Sequence, residues 1–259
     1  NCPEDEVFIF KAEYSKSHKV RVNTSRLLFL KMTKLLWSTR ECVAFDQHLQ
    51  LAFGIPASLL MENAASGVAA FCIKLATSYK FTRVLCLAGP GHNGADALIA
   101  ARHLSQSALA PSIGLFELAQ PSHGGALSLR DKALQTSALI GIPHLNGPFS
   151  AEFLSNHFDL ILDGLFGLGL NRPISGYAFS LIQSIQASGL PVVAVDCPSG
   201  LNCDSGEAMG ICLPATWTLT FVGPKIGFYT DAGSAYCGQV QSCGIGVSDA
   251  LANDWLLSQ

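Results

Sequence analysis

Charged residues are scarce in this chain. Asp, Glu, Lys and Arg make up 14% of its 259 residues, and the formal net charge is only −3, where soluble domains carry about a quarter of such residues. That scarcity excludes a disordered chain, a charged coiled coil and a basic nucleic-acid-coating protein. No CxxC pair occurs among the nine cysteines. No apolar run approaches the ~18 residues of a membrane span, so a soluble body without a membrane partner is expected. The G-x-S-x-G elbow of an α/β-hydrolase is missing, as are internal repeats and low-complexity tracts.

Hydrophobic residues make up 49% of the chain, with 24 Gly and 12 Pro, a composition that suits strands buried on both faces. Most cysteines sit inside apolar runs such as VLCLAG and AVDCPSG. They read as buried, reduced thiols in a reducing compartment, hence a cytoplasmic protein. The charge is uneven. Residues 1–40 hold eight Lys/Arg against four Asp/Glu, and the remainder holds eight against fifteen. An acidic body does not favour nucleic acid as a partner. Residues 1–37 read as a basic arm and 38–259 as a single domain. Within the arm, residues 16–40 carry seven Lys/Arg and no acid, which resembles an organelle transit segment and would make the protein mitochondrial. The other reading makes residues 1–31 an extension upstream of an initiating Met32.

Ser38-Thr39-Arg40-Glu41 fits a capping box, so a helix should begin there and stop at Gly54-Ile55-Pro56. Ser58 should cap a second helix rich in small residues. From residue 83, short apolar strands (RVLCLAG, PSIGLFEL, residues 143–145, FDLILDGLFG, PVVAVDCPSG, ATWTLTFVG, QVQSCGIG) alternate with helical stretches over 96–104, 127–141 and 177–188. Alternation of this kind means βαβ units: an α/β fold, a Rossmann-like three-layer sandwich with a mostly parallel sheet and ligands at the carboxyl ends of its strands.

Three loops there carry the polar residues. The first, Gly89-Pro90-Gly91-His92-Asn93-Gly94-Ala95-Asp96, offers close backbone approach and a helix N-terminus to a phosphate. Its Gly89-x-Gly91-x-x-Gly94 matches the dinucleotide fingerprint, and Glu117, 23 residues on, stands where a ribose-binding acid would lie. Pro90, Asn93 and Asp96 are unusual for an ordinary dehydrogenase. The second loop runs from Asp163 through Gly167, Leu168, Gly169, Leu170 and Asn171 to Arg172-Pro173. The third is Asp196-Cys197-Pro198-Ser199-Gly200. Asp163 ends an apolar strand, an expensive place for a carboxylate without a partner. Asn93, Asp96, Asp163, Asp196 and Ser199 together make a hard-oxygen set suited to an alkali or alkaline-earth cation rather than zinc.

Five stretches in order carry a resemblance: Gly54-Ile55-Pro56 with LMENAA, GPGHNGADALIAARHL, DLILDGLFGLGL, AVDCPSGLNCDSGE and TLTFVGPKIGF. Together they resemble the NAD(P)H-hydrate epimerases, the YjeF N-terminal-domain family, over about residues 39–246. The resemblance implies an isomerase acting on hydrated NADH or NADPH, interconverting the R and S forms at C6, with one potassium ion per subunit. It further implies a homodimer and a functional partner, an NAD(P)H-hydrate dehydratase, whose fused domain is not expected here. Carried over by position, His92, Asn93, Gly94, Ala95 and Asp96 bind substrate phosphate. Gly167, Leu168, Gly169, Leu170, Asn171 and Arg172 form a substrate loop. Asn93, Asp163 and Ser199 hold the cation, and Asp196 faces the reacting ring as the acid/base. The family loop usually reads Asn-Asn-Gly-Gly-Asp-Gly; Ala95 and Ala97 here add a Cβ, which would displace the loop if either position needed a positive φ. The competing reading is a non-catalytic relative, a dimerisation or protein-binding module on the same fold.

Overall fold

The computed structural model describes residues 35–107, 111–118 and 128–259. The basic arm as far as residue 34 lies outside them. Trp37, the last residue assigned to the arm, is buried: it hydrogen-bonds to Pro224 and Ile226 through its backbone and stacks on Trp255.

The first helix, α1 (Thr39–Phe53), begins at the expected capping box. The Ser38 hydroxyl accepts from Glu41 N, and the Glu41 carboxylate accepts from Ser38 N. Gly54, in the left-handed region at φ 65°, ends it. The next helix, α2 (Ala57–Tyr79), starts one residue before Ser58, with Pro56 at its N-cap and no side-chain cap. At 23 residues it is long and apolar enough to cross a membrane by length and composition, which the count of uninterrupted apolar residues overlooks. Its stripe Leu60, Ala64, Ala65, Val68 and Cys72 is nevertheless buried in the domain's core.

The repeating part contains β1 (Arg83–Ala88), α3 (His92–Ser105), β2 (Ser112–Glu117), α4 (Leu129–Leu139), α5 (Ala151–His157), β3 (Leu160–Gly164), α6 (Gly176–Ser188), β4 (Val192–Val195) and β5 (Trp217–Phe221). A 3-10 turn (Ile226–Tyr229), α7 (Ser234–Cys237), β6 (Gln239–Cys243) and α8 (Asp249–Leu257) complete it. The six described strands are all parallel, in the order β2-β1-β3-β4-β5-β6. The expected strand at 143–145 is reduced to one parallel bridge, His144 to Leu115, on the outer side of β2.

The sheet separates two apolar clusters. One joins Phe45, Val68, Leu98, Leu134, Leu219 and Ala252, from α1 to α4, β5 and α8. The other joins Leu87, Leu154, Ile161, Leu181 and Ile182, from β1, β3, α5 and α6. Because β1 is followed by β2 on one side and flanked by β3 on the other, the chain reverses direction of winding between β1 and β3. A crevice forms at such a switch point, outside the carboxyl ends of the strands. All eight described cysteines are unpaired, and seven are buried. Burial pushes the Cys42 and Cys72 thiols up to about 12, so they stay protonated and unreactive at neutral pH.

Candidate functional site

The first loop is tighter than its sequence suggests. Helix α3 already begins at His92, with Gly91 as its N-cap, so His92, Asn93, Gly94, Ala95 and Asp96 form the first turn of a helix rather than a loop. The N–H groups of His92, Asn93 and Gly94 precede the first helical bond, which Ala95 N makes to Gly91 O at 3.3 Å, and so are open to a ligand at the carboxyl end of β1. Ala95 and Ala97 are helical, fully buried and free of positive φ. The extra Cβ atoms therefore demand no shift.

Glycine is required at two neighbouring positions. A Cβ on Gly89 would run into the Leu165 carbonyl. A Cβ on Gly164 would strike the Ala97 side chain and lie 2.8 Å from the Asn93 oxygen. The turn after β1 and the loop after β3 thus touch backbone to backbone, with Gly89 N donating to Gly164 O at 3.0 Å. Gly164→Ala is expected to cost about 1–3 kcal/mol by overpacking. The measurement is a urea melt, with a lower midpoint at unchanged slope.

Asn93, Asp163 and Ser199 meet in this contact. The Ser199 hydroxyl donates to Asp163 Oδ1 at 2.6 Å, and Ser199 N donates to Oδ2 at 2.9 Å. Phe166 N donates to Ser199 Oγ at 2.9 Å, and Asn93 Nδ2 donates to the Phe166 carbonyl at 3.1 Å. Asp163 is fully buried, and among the described residues no basic side chain forms an ion pair with it. Burial pushes its carboxyl up to about 6 against the opposing bonds from Ser199 and Leu165. A buried carboxyl without a cation, ringed by a hydroxyl, an amide and a carbonyl, fits a hard monovalent cation. No cluster of three or more His, Cys, Asp or Glu suited to a transition metal occurs among the described residues.

Asp196 lies beyond the end of β4 in the left-handed region at φ 62°, where a non-glycine residue is uncommon. Its Oδ1 accepts from Lys225 Nζ at 2.7 Å, Phe221 N at 3.0 Å and Thr220 Oγ1 at 3.3 Å. Its Oδ2 has no hydrogen bond among the described residues. Lys225, 1% exposed, also donates to Thr220 Oγ1 and Phe221 O at 2.7 Å and to Gly223 O at 3.1 Å. Burial pulls its ammonium down, and the Asp196 charge, the neighbouring Cys42 and the hydrogen bond to Asp196 together outweigh this, leaving the group above its ordinary value. Val222 between them is also left-handed, at φ 65°. For a β-branched residue that is a strained conformation, of the kind that clusters at working sites.

Asp96 completes the set. Its carboxyl is pushed well above the usual range by burial, then by the charges of Asp196 and of Asp46 on α1. The residues expected to form a substrate loop divide. Gly167 packs against Asn93, while Leu168 and Leu170 anchor the loop in apolar clusters. Gly169, Asn171 and Arg172 are exposed. Two residues escaped the sequence reading. Lys225 lies within TLTFVGPKIGF, where its signal is a lone cation in an apolar stretch. Asp46 carried none, being one polar residue on an amphipathic helix.

The model of the YjeF-related protein N-terminus family matches residues 57–227. The NAD(P)H-hydrate epimerase of Limosilactobacillus fermentum is 34% identical over 210 residues, covering 81% of this chain and 96% of that protein. The bifunctional NAD(P)H-hydrate repair enzyme Nnr of Thermofilum pendens is 33% identical over 217 residues, covering 83% of this chain but 40% of that protein. The chain therefore spans less than half of the bifunctional relative and nearly all of the epimerase. The crystal structure of yeast ynu0 superposes with a TM-score of 0.66 at 22% identity, over 80% of this chain and 87% of that one; this likeness bears on the fold alone.

Proposed function

Because the chain belongs to the family of YjeF-related N-terminal domains, we propose that it is an NAD(P)H-hydrate epimerase, an isomerase that interconverts the R and S forms of hydrated NADH or NADPH. The observation that carries this reading is the pair Asp96 and Asp196, close enough for the charge of one to bear on the other, beside the open first turn of α3 and with the buried Asp163 ending the neighbouring β3.

The chemistry asks for two proton positions. C6 of the hydrated ring bears a hydroxyl beside the ring nitrogen. Electron density from that nitrogen expels the hydroxyl as water once a proton reaches its oxygen. A water molecule then adds to the opposite face of the flat ring cation and gives up a proton. One proton is spent and one recovered, on opposite faces. Asp96, whose carboxyl is biased toward its protonated form by burial and by its carboxylate neighbours, is the donor. Asp196, whose Oδ2 is left open while Lys225 fixes Oδ1, is the acceptor. The reverse reaction exchanges these roles. Positioned proton transfer of this sort contributes about 10²–10⁴ in rate. The N–H groups opening α3 bind the pyrophosphate, and residues 167–172 cover the substrate.

Asp163, Ser199, Asn93 and the Phe166 carbonyl are the residues that would hold a potassium ion. Bound there, the ion supplies a fixed positive charge that neutralises Asp163 and ties the three loops together. The folded carboxyl of Asp163 titrates near 6, above its unfolded value. Its contribution to stability is therefore present at acid pH and lost as pH rises through 6. A cation offsets that loss only where the carboxyl is ionised. Potassium chloride, compared with tetramethylammonium chloride at equal ionic strength, is expected to raise Tm by about 3 °C or more at pH 8 and to leave it unchanged at pH 5.

The activity is tested by supplying the R form of hydrated NADH with an S-specific dehydratase in excess, the enzyme class that consumes the product. Faster loss of the R form when this protein is added supports the epimerase. No acceleration at micromolar protein would instead support a binding module. A second copy of the chain as its partner in solution rests on the family likeness.

A further inference from the structure

A cavity of about 560 Å³ opens at the end of β2, lined by Phe116, Glu117, His144, Asn146 and Tyr177 among others. None of these belongs to the catalytic set. Glu117 is the last residue of β2 and lies in register with Ala88, directly before the Gly89 turn. The bridge from Leu115 to His144 places a rudimentary strand outside β2. With it, the sheet reads outer strand, β2, β1, β3, β4, the succession of the dinucleotide-binding fold, in which the acid ending β2 meets the adenosine ribose. From β2 to β4 is three strand spacings, about 14 Å, a span that an extended dinucleotide covers with its phosphates at the head of α3.

The local charge decides what this cavity accepts. Glu117 Oε2 accepts from Arg130 Nη2 at 2.8 Å, and Oε1 lies 3.1 Å from His144 Nδ1. Each oxygen keeps a second lone pair for a ribose hydroxyl. Arg130 is buried and already committed: its Nε donates to Gly89 O at 2.7 Å, and Nη1 lies 3.5 Å from Asp131. Among the described residues, two carboxylates thus share one guanidinium, whose Nη2 is held by Glu117 and whose Nε is held by the Gly89 carbonyl. A 2′-hydroxyl finds an acceptor here, whereas a 2′-phosphate is set against the Glu117 carboxylate. Phe116 and Tyr177, with ring centroids 5.9 Å apart, supply aromatic surface for a base beside it.

Resting on the epimerase reading, we propose that Glu117 reads the adenosine ribose and makes this chain select the hydrate of NADH over that of NADPH. The test compares the two R hydrates at pH 8 with an S-specific dehydratase in excess. The NADH hydrate is expected to show a kcat/KM higher by about tenfold or more. Glu117→Gln, which keeps a polar group for the ribose and removes the charge, is expected to raise kcat/KM for the NADPH hydrate and bring the pair within about threefold. Isothermal titration of the unaltered protein with NADH and with NADPH reads the same preference without a variant or turnover, so a misfolded E117Q leaves the test standing. Equal kcat/KM for the two hydrates, or a wild-type preference that E117Q leaves unchanged in a folded protein, overturns the role of Glu117 and leaves the epimerase intact. Tighter NADH than NADPH binding without turnover of either hydrate supports the selection and overturns the epimerase.

Discussion

Asp196→Asn is expected to lower kcat for epimerisation by about 10²–10⁴-fold, the usual weight of a positioned proton acceptor, with a smaller change in KM. Asparagine is the right probe for three reasons. It tolerates the left-handed backbone at φ 62° better than alanine would. Its amide oxygen still accepts from Lys225, Phe221 N and Thr220. It removes the charge and the proton affinity alone. The neutral side chain also leaves the buried Lys225 without a counter-charge, so Tm falls as well. Activity must therefore be read well below the variant's melting temperature, with circular dichroism confirming the folded state. Normal turnover by a folded D196N would remove Asp196 from the mechanism.

Lys225→Met is expected to destabilise the domain by about 3–5 kcal/mol, the cost of breaking a buried ion pair from one side. Methionine keeps much of the volume and none of the hydrogen bonds. The Asp196 carboxylate would then be buried without a cation, and the Phe221 and Gly223 carbonyls would each lose a donor. For a domain of this size the loss corresponds to a fall in Tm of about 10 °C or more. The expected raised titration of Lys225 keeps it charged throughout the neutral range, so the fall should be alike at pH 6 and pH 8. Adding D196N to K225M should cost less than the sum of the two single changes, because the second substitution removes the charge that the first left stranded. Strict additivity would show that the pair does not hold this corner together.

The layered α/β architecture was legible because buried parallel strands are written as short apolar runs, and RVLCLAG, FDLILDG and PVVAVD stand out against the helices between them. The box at Ser38 and the glycine stop at Gly54 read equally plainly, being local chemistry. Three features were hidden by tertiary context. The start of α3 at His92 is one, since HNG is a poor helix opening until the β3 loop packs on it. The short α5 and the terminal α8 carry too few turns for a periodic signal to rise above their neighbours. Residues 143–145 look like a strand, yet they find a partner on one side only and make a single bridge. At the site, the acids could be read because each follows a strand. Their grouping could not. That Asp196 is tied to Lys225 while Asp163 has no basic partner among the described residues depends on loops after β3, β4 and β5 that are far apart in sequence.

Trp37 has a consequence for anything attached upstream. Its backbone N–H is bound by Pro224 and its carbonyl by Ile226, the residues on either side of Lys225. The same peptide that opens the folded domain thus clamps the lysine-bearing turn from outside. An affinity tag, a leader sequence or a fused carrier protein joined close to this residue has almost no slack before it tugs on the ammonium beneath, so a spacer there matters for activity as well as for yield.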